Sequence, residues 1–384
     1  MSALRLLRPT VAAALKPTIP RRYVSAFGYT QAKALIFNDY GAPKDVLKLH
    51  RHSISPAYGD EIIIRFLAAP INPADINQIE GVYPSKPAFT ITLGTPSPAA
   101  VPGNEGVVEV VGVGANVKNF KPGDRAIMKH TAFGTWRTHA VAKDENLLKI
   151  PEEYKELNVI SAATISVNPC TAYRMLKDFT PLQPGDWFIQ NGANSGVGRA
   201  AIQLGRIWGL KSINVVRDRP EIEELKEELK GLGADVVVTE EELADRQFRK
   251  DLKEFTGGKP PMLGLNCVGG KATTELIRQL GEGGHVVTYG AMARQPVTLS
   301  ASSLIFRDVH AHGFWVSRWS DKNPEKKKEM VEEIFGLIKK GEFKDVPIEK
   351  TVWKNDTKEE ELKAAVEKSG QAFGGKKQVF VFEE

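Results

Sequence analysis

The stretch Trp187-Phe188-Ile189-Gln190-Asn191-Gly192-Ala193-Asn194-Ser195-Gly196-Val197-Gly198 decides how this chain is read. Its first four residues have the length and apolar character of a buried strand, and a helix-forming sequence follows to about Trp208. A glycine-rich turn between strand and helix lets backbone approach a pyrophosphate, whose charge is stabilised by free N–H groups and the positive helix end. The spacing Gly192-x3-Gly196-x-Gly198 is not the commonest fingerprint, and a plain structural turn is the alternative. The strand before and the helix after supply the context that the binding motif requires.

Downstream, apolar strands alternate with amphipathic helices, as in a parallel sheet covered on both faces. Candidate strands are Trp187–Gln190, Ile213–Val216, Val236–Thr239, Leu263–Cys267, Val286–Tyr289 and Ala311–Val316. Six such strands predict a doubly wound dinucleotide fold. A charged helix from about Pro324 to Lys340 and a last strand, Lys377–Phe382, returning to the first domain, complete this half.

Upstream, about Lys33 to Leu148 reads as short strands between Gly/Pro turns, among them Glu61–Phe66, Gly106–Val111 and Asp124–Met128. This predicts a compact antiparallel domain. A chain of 384 residues has room for two such domains.

The net charge of +5 is matched by Arg5, Arg8, Lys16, Arg21 and Arg22, so the remainder is neutral and offers no basic face for nucleic acid. The acid-free start, with Leu4, Leu7, Val11 and Leu15 on one helical face, predicts an organelle import segment; a disordered tail is the alternative. No apolar run is long enough for a membrane-spanning helix. Cys170 and Cys267 lack the paired spacing of a zinc site or disulfide framework and read as buried small hydrophobes.

After the second Rossmann strand, where an acidic residue would favour the ribose hydroxyl of NAD, stand Arg217, Asp218 and Arg219. Two guanidinium groups favour a 2′-phosphate through charge-assisted hydrogen bonds, hence NADPH. Asp218 is able to pair with either arginine, and a surface charge cluster is the alternative.

Pro102-Gly103-Asn104-Glu105-Gly106-Val107-Val108, Val113-Gly114 and Phe120-Lys121-Pro122-Gly123-Asp124-Arg125 resemble the medium-chain dehydrogenase/reductase family. The resemblance implies a GroES-like, mostly antiparallel β substrate domain joined to a doubly wound six-stranded Rossmann-type domain. In the zinc alcohol dehydrogenases of that family a metal-binding histidine stands where this chain has Asn104. Asparagine is a poor zinc ligand, and no nearby cysteine pair replaces the missing donors. The pairs His50/His52 and His310/His312 share strand faces, with surface or core roles as the favoured reading. A metal-free mechanism is therefore expected.

Within the family, Ile71-Asn72-Pro73-Ala74-Asp75-Ile76-Asn77, Gly81-Val82-Tyr83-Pro84, Val167-Asn168-Pro169-Cys170-Thr171-Ala172-Tyr173, the glycine loop and Arg217-Asp218-Arg219-Pro220 are similar to mitochondrial 2-enoyl thioester reductases of fatty-acid synthesis. The resemblance covers nearly all of the chain after the import segment. It implies NADPH-dependent reduction of the C2=C3 double bond of trans-2-enoyl thioesters carried on acyl carrier protein or CoA, in the mitochondrial matrix, by a homodimer. The expected division is a transit peptide over 1–22, a substrate domain over 23–165, a nucleotide domain over 166–345 and a return to the substrate domain over 346–384.

The resemblance assigns Tyr83 as proton donor, a role suited to a phenol that stays protonated at neutral pH. An ordinary loop tyrosine is the alternative, and Asn72 is a possible positioning residue. Cofactor contacts implied by the resemblance are Asn168, Asn194, Ser195, Gly196, Val197, Arg217, Asp218, Arg219, Tyr289, Gly290, Ala291, Met292, Phe314, Trp315, Val316 and Lys377. Trp315 is equally readable as a wall of the acyl channel or a core aromatic. For an acidic carrier protein the run Lys326-Lys327-Lys328 is a candidate basic patch, with a solvated helix face favoured. The competing functions are a zinc-free NADPH quinone oxidoreductase and a non-catalytic NADPH-binding regulatory protein.

Overall fold

The computed structural model describes residues 28–371 and 376–383, so the expected import segment lies outside the described residues. In chain order the strands are β1 (Thr30–Ile36), β2 (Lys48–Ile54), β3 (Ile62–Pro70), β4 (Val107–Val113), β5 (Arg125–Met128), β6 (His139–Ala142) and β7 (Leu147–Lys149). They continue with β8 (Trp187–Gln190), β9 (Lys211–Val216), β10 (Val236–Thr239), β11 (Leu263–Asn266), β12 (His285–Thr288), β13 (His310–Gly313), β14 (Ile348–Trp353) and β15 (Lys377–Phe382).

The six strands β8 to β13 form one parallel sheet in the order β10-β9-β8-β11-β12-β13. Strands β8 and β11 are buried along their whole length, because helices cover both faces of the sheet. The order reverses between β8 and β11, so the crevice beyond their carboxyl ends is the expected ligand position. The glycine loop opens directly into it from β8.

The other large sheet runs β14-β15-β3-β4-β5-β7, with β6 also paired to β3. Strand β3 serves two neighbours on one side: its first half pairs with β6 and its second half with β15. Register shifts at Ile63/Ile64 and Phe66/Ala68 let it bend between them. The last strand thus lies beside one of the first. Ala68, Val107 and Ile127 of this sheet share an apolar cluster with Phe188, Leu263 and Leu265 of the parallel sheet. This common core fixes the crevice walls relative to each other.

Three expected strands end early, that of Val286–Tyr289 at Thr288. Cys267 leaves β11 because its N–H donates to Asn191 Oδ1 at 2.9 Å. Past Gly313, Phe314 N–H donates to O of Thr288, the last residue of β12, and the chain then turns into a helix at Val316–Lys322. The basic run is also corrected. Lys326 and Lys328 are exposed, but Lys327 is buried and donates to the carbonyls of Met128 and Lys129 at 3.3 and 2.5 Å, so it adds nothing to a surface patch.

Candidate active site

The loop after β8 is held by a polar interior. Gln190 Nε2 donates to Gly198 O and to Asn214 Oδ1, and Asn191 Nδ2 donates to Asn266 Oδ1. Gly192 has φ of +60°, and a Cβ there would lie 2.4 Å from Cys267 Sγ. A Cβ on Gly196 would lie 2.5 Å from Asn168 Nδ2. Both positions therefore exclude larger residues on sterics, and Gly192 on conformation as well. Ser195 caps the helix Gly196–Ile207, its Oγ accepting from Gly198 N at 3.1 Å. The first N–H groups of that helix, at Gly196 and Val197, have no partner within it and supply the anion-binding end.

The structure turns one expected contact inward. Both oxygens of Asn194 accept from Arg199, which also pairs with Glu228 at 2.7 Å. Arg199 is buried and fixes the loop, a role the sequence reading missed. Its signal lies in the sequence: an arginine one turn inside an otherwise apolar helix needs a partner.

At the end of β9, Asp218 Oδ1 accepts from the Arg219 backbone N–H at 2.9 Å. The buried Nε of Arg219 has no hydrogen-bond partner among the described residues. An orphaned guanidinium nitrogen on this turn suits a bound phosphate. The crevice residues thus fit NADPH: loop and helix end for the pyrophosphate, and the arginine turn for the 2′-phosphate.

The opposite wall follows β12 and β13. Tyr289 N–H donates to Asn266 O and Met292 N–H to Cys267 O, which carries Gly290 and Ala291 past the sheet edge. The Tyr289 hydroxyl is buried without a partner, and burial pushes its pKa well above the ordinary value. Phe314 packs edge-on against Phe179, and Trp315 follows with its indole N–H buried and unpartnered. The Tyr289 hydroxyl lies beside Ser195 and Cys267, and the Trp315 indole beside the Tyr83 hydroxyl.

Trp315 meets Tyr83 edge to face, with ring centroids 5.8 Å apart. Tyr83 follows the helix Pro73–Ile79, and its N–H donates to Asn77 O at 3.2 Å. Burial raises the Tyr83 pKa; the Trp315 indole opposes this, and the charge of Asp75 adds to it. The phenol therefore holds its proton at neutral pH.

Behind Tyr83 lies a buried polar cluster whose members come from three segments. Asn72 N–H donates to Asp75 Oδ2 at 2.7 Å, and Asn72 Nδ2 to Glu105 Oε1 at 2.9 Å. Lys377 Nζ donates to Asn72 Oδ1 at 2.5 Å. Asp75 and Glu105 are fully buried; desolvation pushes Asp75 up to about 7 and Glu105 upward, and lowers Lys377. Lys377 thus sits on Asn72, and Asn72 faces this cluster. The sequence reading missed the roles of Asp75, Gln78 and Glu105.

Asn104 donates through Nδ2 to Asp75 Oδ1 and Gln78 Oε1, while its Oδ1 accepts from Gln78 Nε2 and Ala132 N. All its hydrogen-bonding capacity is used, leaving no lone pair for a metal. Burial holds the Cys170 and Cys267 thiols up at about 12 and 11, away from the thiolate form zinc requires. Among the described residues no three of His, Cys, Asp and Glu gather to hold a metal ion, so a catalytic zinc does not fit this site. His50 and His52 stack on β2, with His50 Nε2 against Leu93 O; His310 and His312 stack with His285 at the edge of the parallel sheet.

Two family profiles match the chain: an alcohol dehydrogenase GroES-like domain over residues 58–152 and a zinc-binding dehydrogenase over 196–336. The chain is 46% identical to the mitochondrial enoyl-[acyl-carrier-protein] reductase of Yarrowia lipolytica, over 90% of this chain and 91% of that protein. A solved complex of Etr1p with NADP and crotonyl-CoA superposes with a TM-score of 0.87 at 40% identity, covering 91% of this chain and 99% of the other. The Etr1p/Etr2p heterodimer of Candida tropicalis, a mitochondrial 2-enoyl thioester reductase, matches with the same TM-score, identity and coverage.

Proposed function

The chain belongs to the family of mitochondrial enoyl-[acyl-carrier-protein] reductases, in the medium-chain dehydrogenase/reductase superfamily, and from this we propose how its own residues carry out the reaction. The enzyme is an NADPH-dependent oxidoreductase that reduces the C2=C3 bond of 2-enoyl thioesters.

When bound, NADPH supplies a hydride to C3 of the substrate. Asn168, Ser195, Gly196 and Val197 hold the pyrophosphate side of the cradle, with Asn194 locking the loop through Arg199. Arg217 and Arg219 take the 2′-phosphate, and Asp218 shapes their turn. Tyr289 to Met292 and Phe314 to Val316 form the far wall, while Lys377 braces Asn72. Tyr83 gives its hydroxyl proton to C2, so that hydride and proton together saturate the double bond and the phenolate recovers a proton from water. The observation carrying this assignment is the Tyr83 phenol, half-buried against Trp315 at the mouth of the cradle and held protonated by its surroundings.

The finer reading is an enzyme of the mitochondrial matrix whose substrate is carried on acyl carrier protein and whose residues 1–22 are the import segment. Its substrate domain spans 23–165, its nucleotide domain 166–345, and residues 346–384 return to the first; the pairing of β15 with β3 supports that return. Association as a homodimer is supported by the exposed edge strand β13 and by exposed Leu304, Ile305 and Phe306 just before it. The test mixes protein lacking residues 1–22 with NADPH and 2-hexenoyl-CoA and follows nicotinamide absorbance. Oxidation that collapses in Tyr83→Phe supports the reading; oxidation with a quinone alone overturns it.

A further inference from the structure

Glu105 is fully buried and joins both halves of the site. Its Oε1 accepts from Asn72 Nδ2 at 2.9 Å, and Asn72 caps the helix that leads to Tyr83. Its Oε2 accepts from Val167 N at 3.1 Å, immediately before the helix Asn168–Asp178. That helix begins with Asn168, whose side chain abuts Gly196 in the nucleotide loop. One carboxylate thus clasps the acid-bearing segment to the cofactor-bearing segment. Lys377, on the far side of Asn72, supplies the balancing positive charge.

We infer that Glu105 is a positioning residue for hydride and proton transfer, setting the placement of Tyr83 relative to the nucleotide cradle by bridging Asn72 and the Val167 N–H. It touches neither substrate nor cofactor. The inference rests on Tyr83 being the proton donor. A carboxylate suits the task because both groups it meets are donors and each of its oxygens accepts one. Glutamine keeps the shape but offers one acceptor oxygen and one NH2, so one arm of the clasp is lost.

The experiment compares Glu105→Gln, Tyr83→Phe and the double variant with NADPH and 2-hexenoyl-CoA, measuring kcat, KM, NADPH Kd by fluorescence and the thermal midpoint. Misplacement of a reacting group lowers kcat by about 10- to 100-fold with KM, NADPH Kd and melting near those of the parent. In the Tyr83→Phe background the same substitution then lowers kcat by less than about threefold, because the group it positions is already gone. Equal proportional losses in both backgrounds, or a loss confined to NADPH Kd, overturn the clasp. Unchanged turnover in Tyr83→Phe instead overturns the proton-donor reading itself. If Glu105→Gln fails to fold, Asn72→Ala, which leaves Glu105 on Val167 and removes the Asn72 contacts to both Glu105 and Lys377, is measured against the same outcomes.

Discussion

Tyr83 and Trp315 approach from different sheets and meet edge to face, with centroids 5.8 Å apart and planes at 87°. This geometry sets the positive edge of one ring against the negative face of the other and is favourable by about 1 kcal/mol. It fixes the phenol ring beside the Trp315 indole. Trp315→Leu is expected to lower kcat about tenfold, since Tyr83 loses its lateral support, and to weaken NADPH as well, since Trp315 belongs to the far wall of the cradle. Stopped-flow turnover and nucleotide titration separate the two effects; an unaltered kcat would remove Trp315 from the positioning of Tyr83.

Arg219 carries a buried Nε with no partner among the described residues. A charge-assisted hydrogen bond to phosphate contributes about 1.5–3 kcal/mol, equivalent to roughly 10- to 150-fold in affinity. Arg219→Leu should weaken NADPH by that factor and leave NADH binding unchanged. Parallel titrations with both nucleotides check this, and equal losses for the two would place Arg219 elsewhere than the 2′-phosphate.

Gly196→Val puts carbon where Asn168 Nδ2 already lies, 2.5 Å from the ideal Cβ. We expect loss of NADPH binding with the parallel sheet intact by circular dichroism. Retained affinity in this variant would contradict the placement of the pyrophosphate.

Burial, with Arg65 and His52 beside it, holds His139 at about 4, below its ordinary 6.5; His52 is also held at about 4, chiefly by burial. Unfolding releases both to bind protons more readily, so their neutral forms contribute stability above pH 6.5 that is lost as pH falls from there toward 4. Over that window each histidine adds at most about 1.4 kcal/mol per pH unit to the slope, with less from the more exposed His52. Urea midpoints measured across the range should fall with acid, and His139→Gln should flatten the fall. An unchanged slope in the variant would exclude His139 as a source.

The parallel sheet was readable because β8 and β11, covered on both faces, carry no charge and are polar only at their last residues, Gln190 and Asn266, and the glycine loop follows β8 directly. Strands β2 and β14, Lys-Leu-His-Arg-His-Ser-Ile and Ile-Glu-Lys-Thr-Val-Trp, were not readable, since largely polar sequences become strands only through their neighbours. The cluster of Asn72, Asp75, Glu105 and Lys377 was equally hidden, because the two ends of the described chain meet only after folding. Lys327 did leave a signal: it precedes Met330, Val331 and Ile334 at helical spacing and so shares their buried face. Charge count alone misled there.

The pairing of β15 with β3 also orders events during synthesis. The antiparallel sheet waits for its last strand until residues 377–382 have emerged, by which time the sequence of the whole parallel sheet is already available to fold. Until then Ile71 N–H lacks Gln378 O and Asn72 lacks its ammonium partner. A truncated product would keep the sequence of the nucleotide cradle but leave the edge of β3 open to any other strand. Only a chain that includes residues 377–382 closes the wall behind Tyr83.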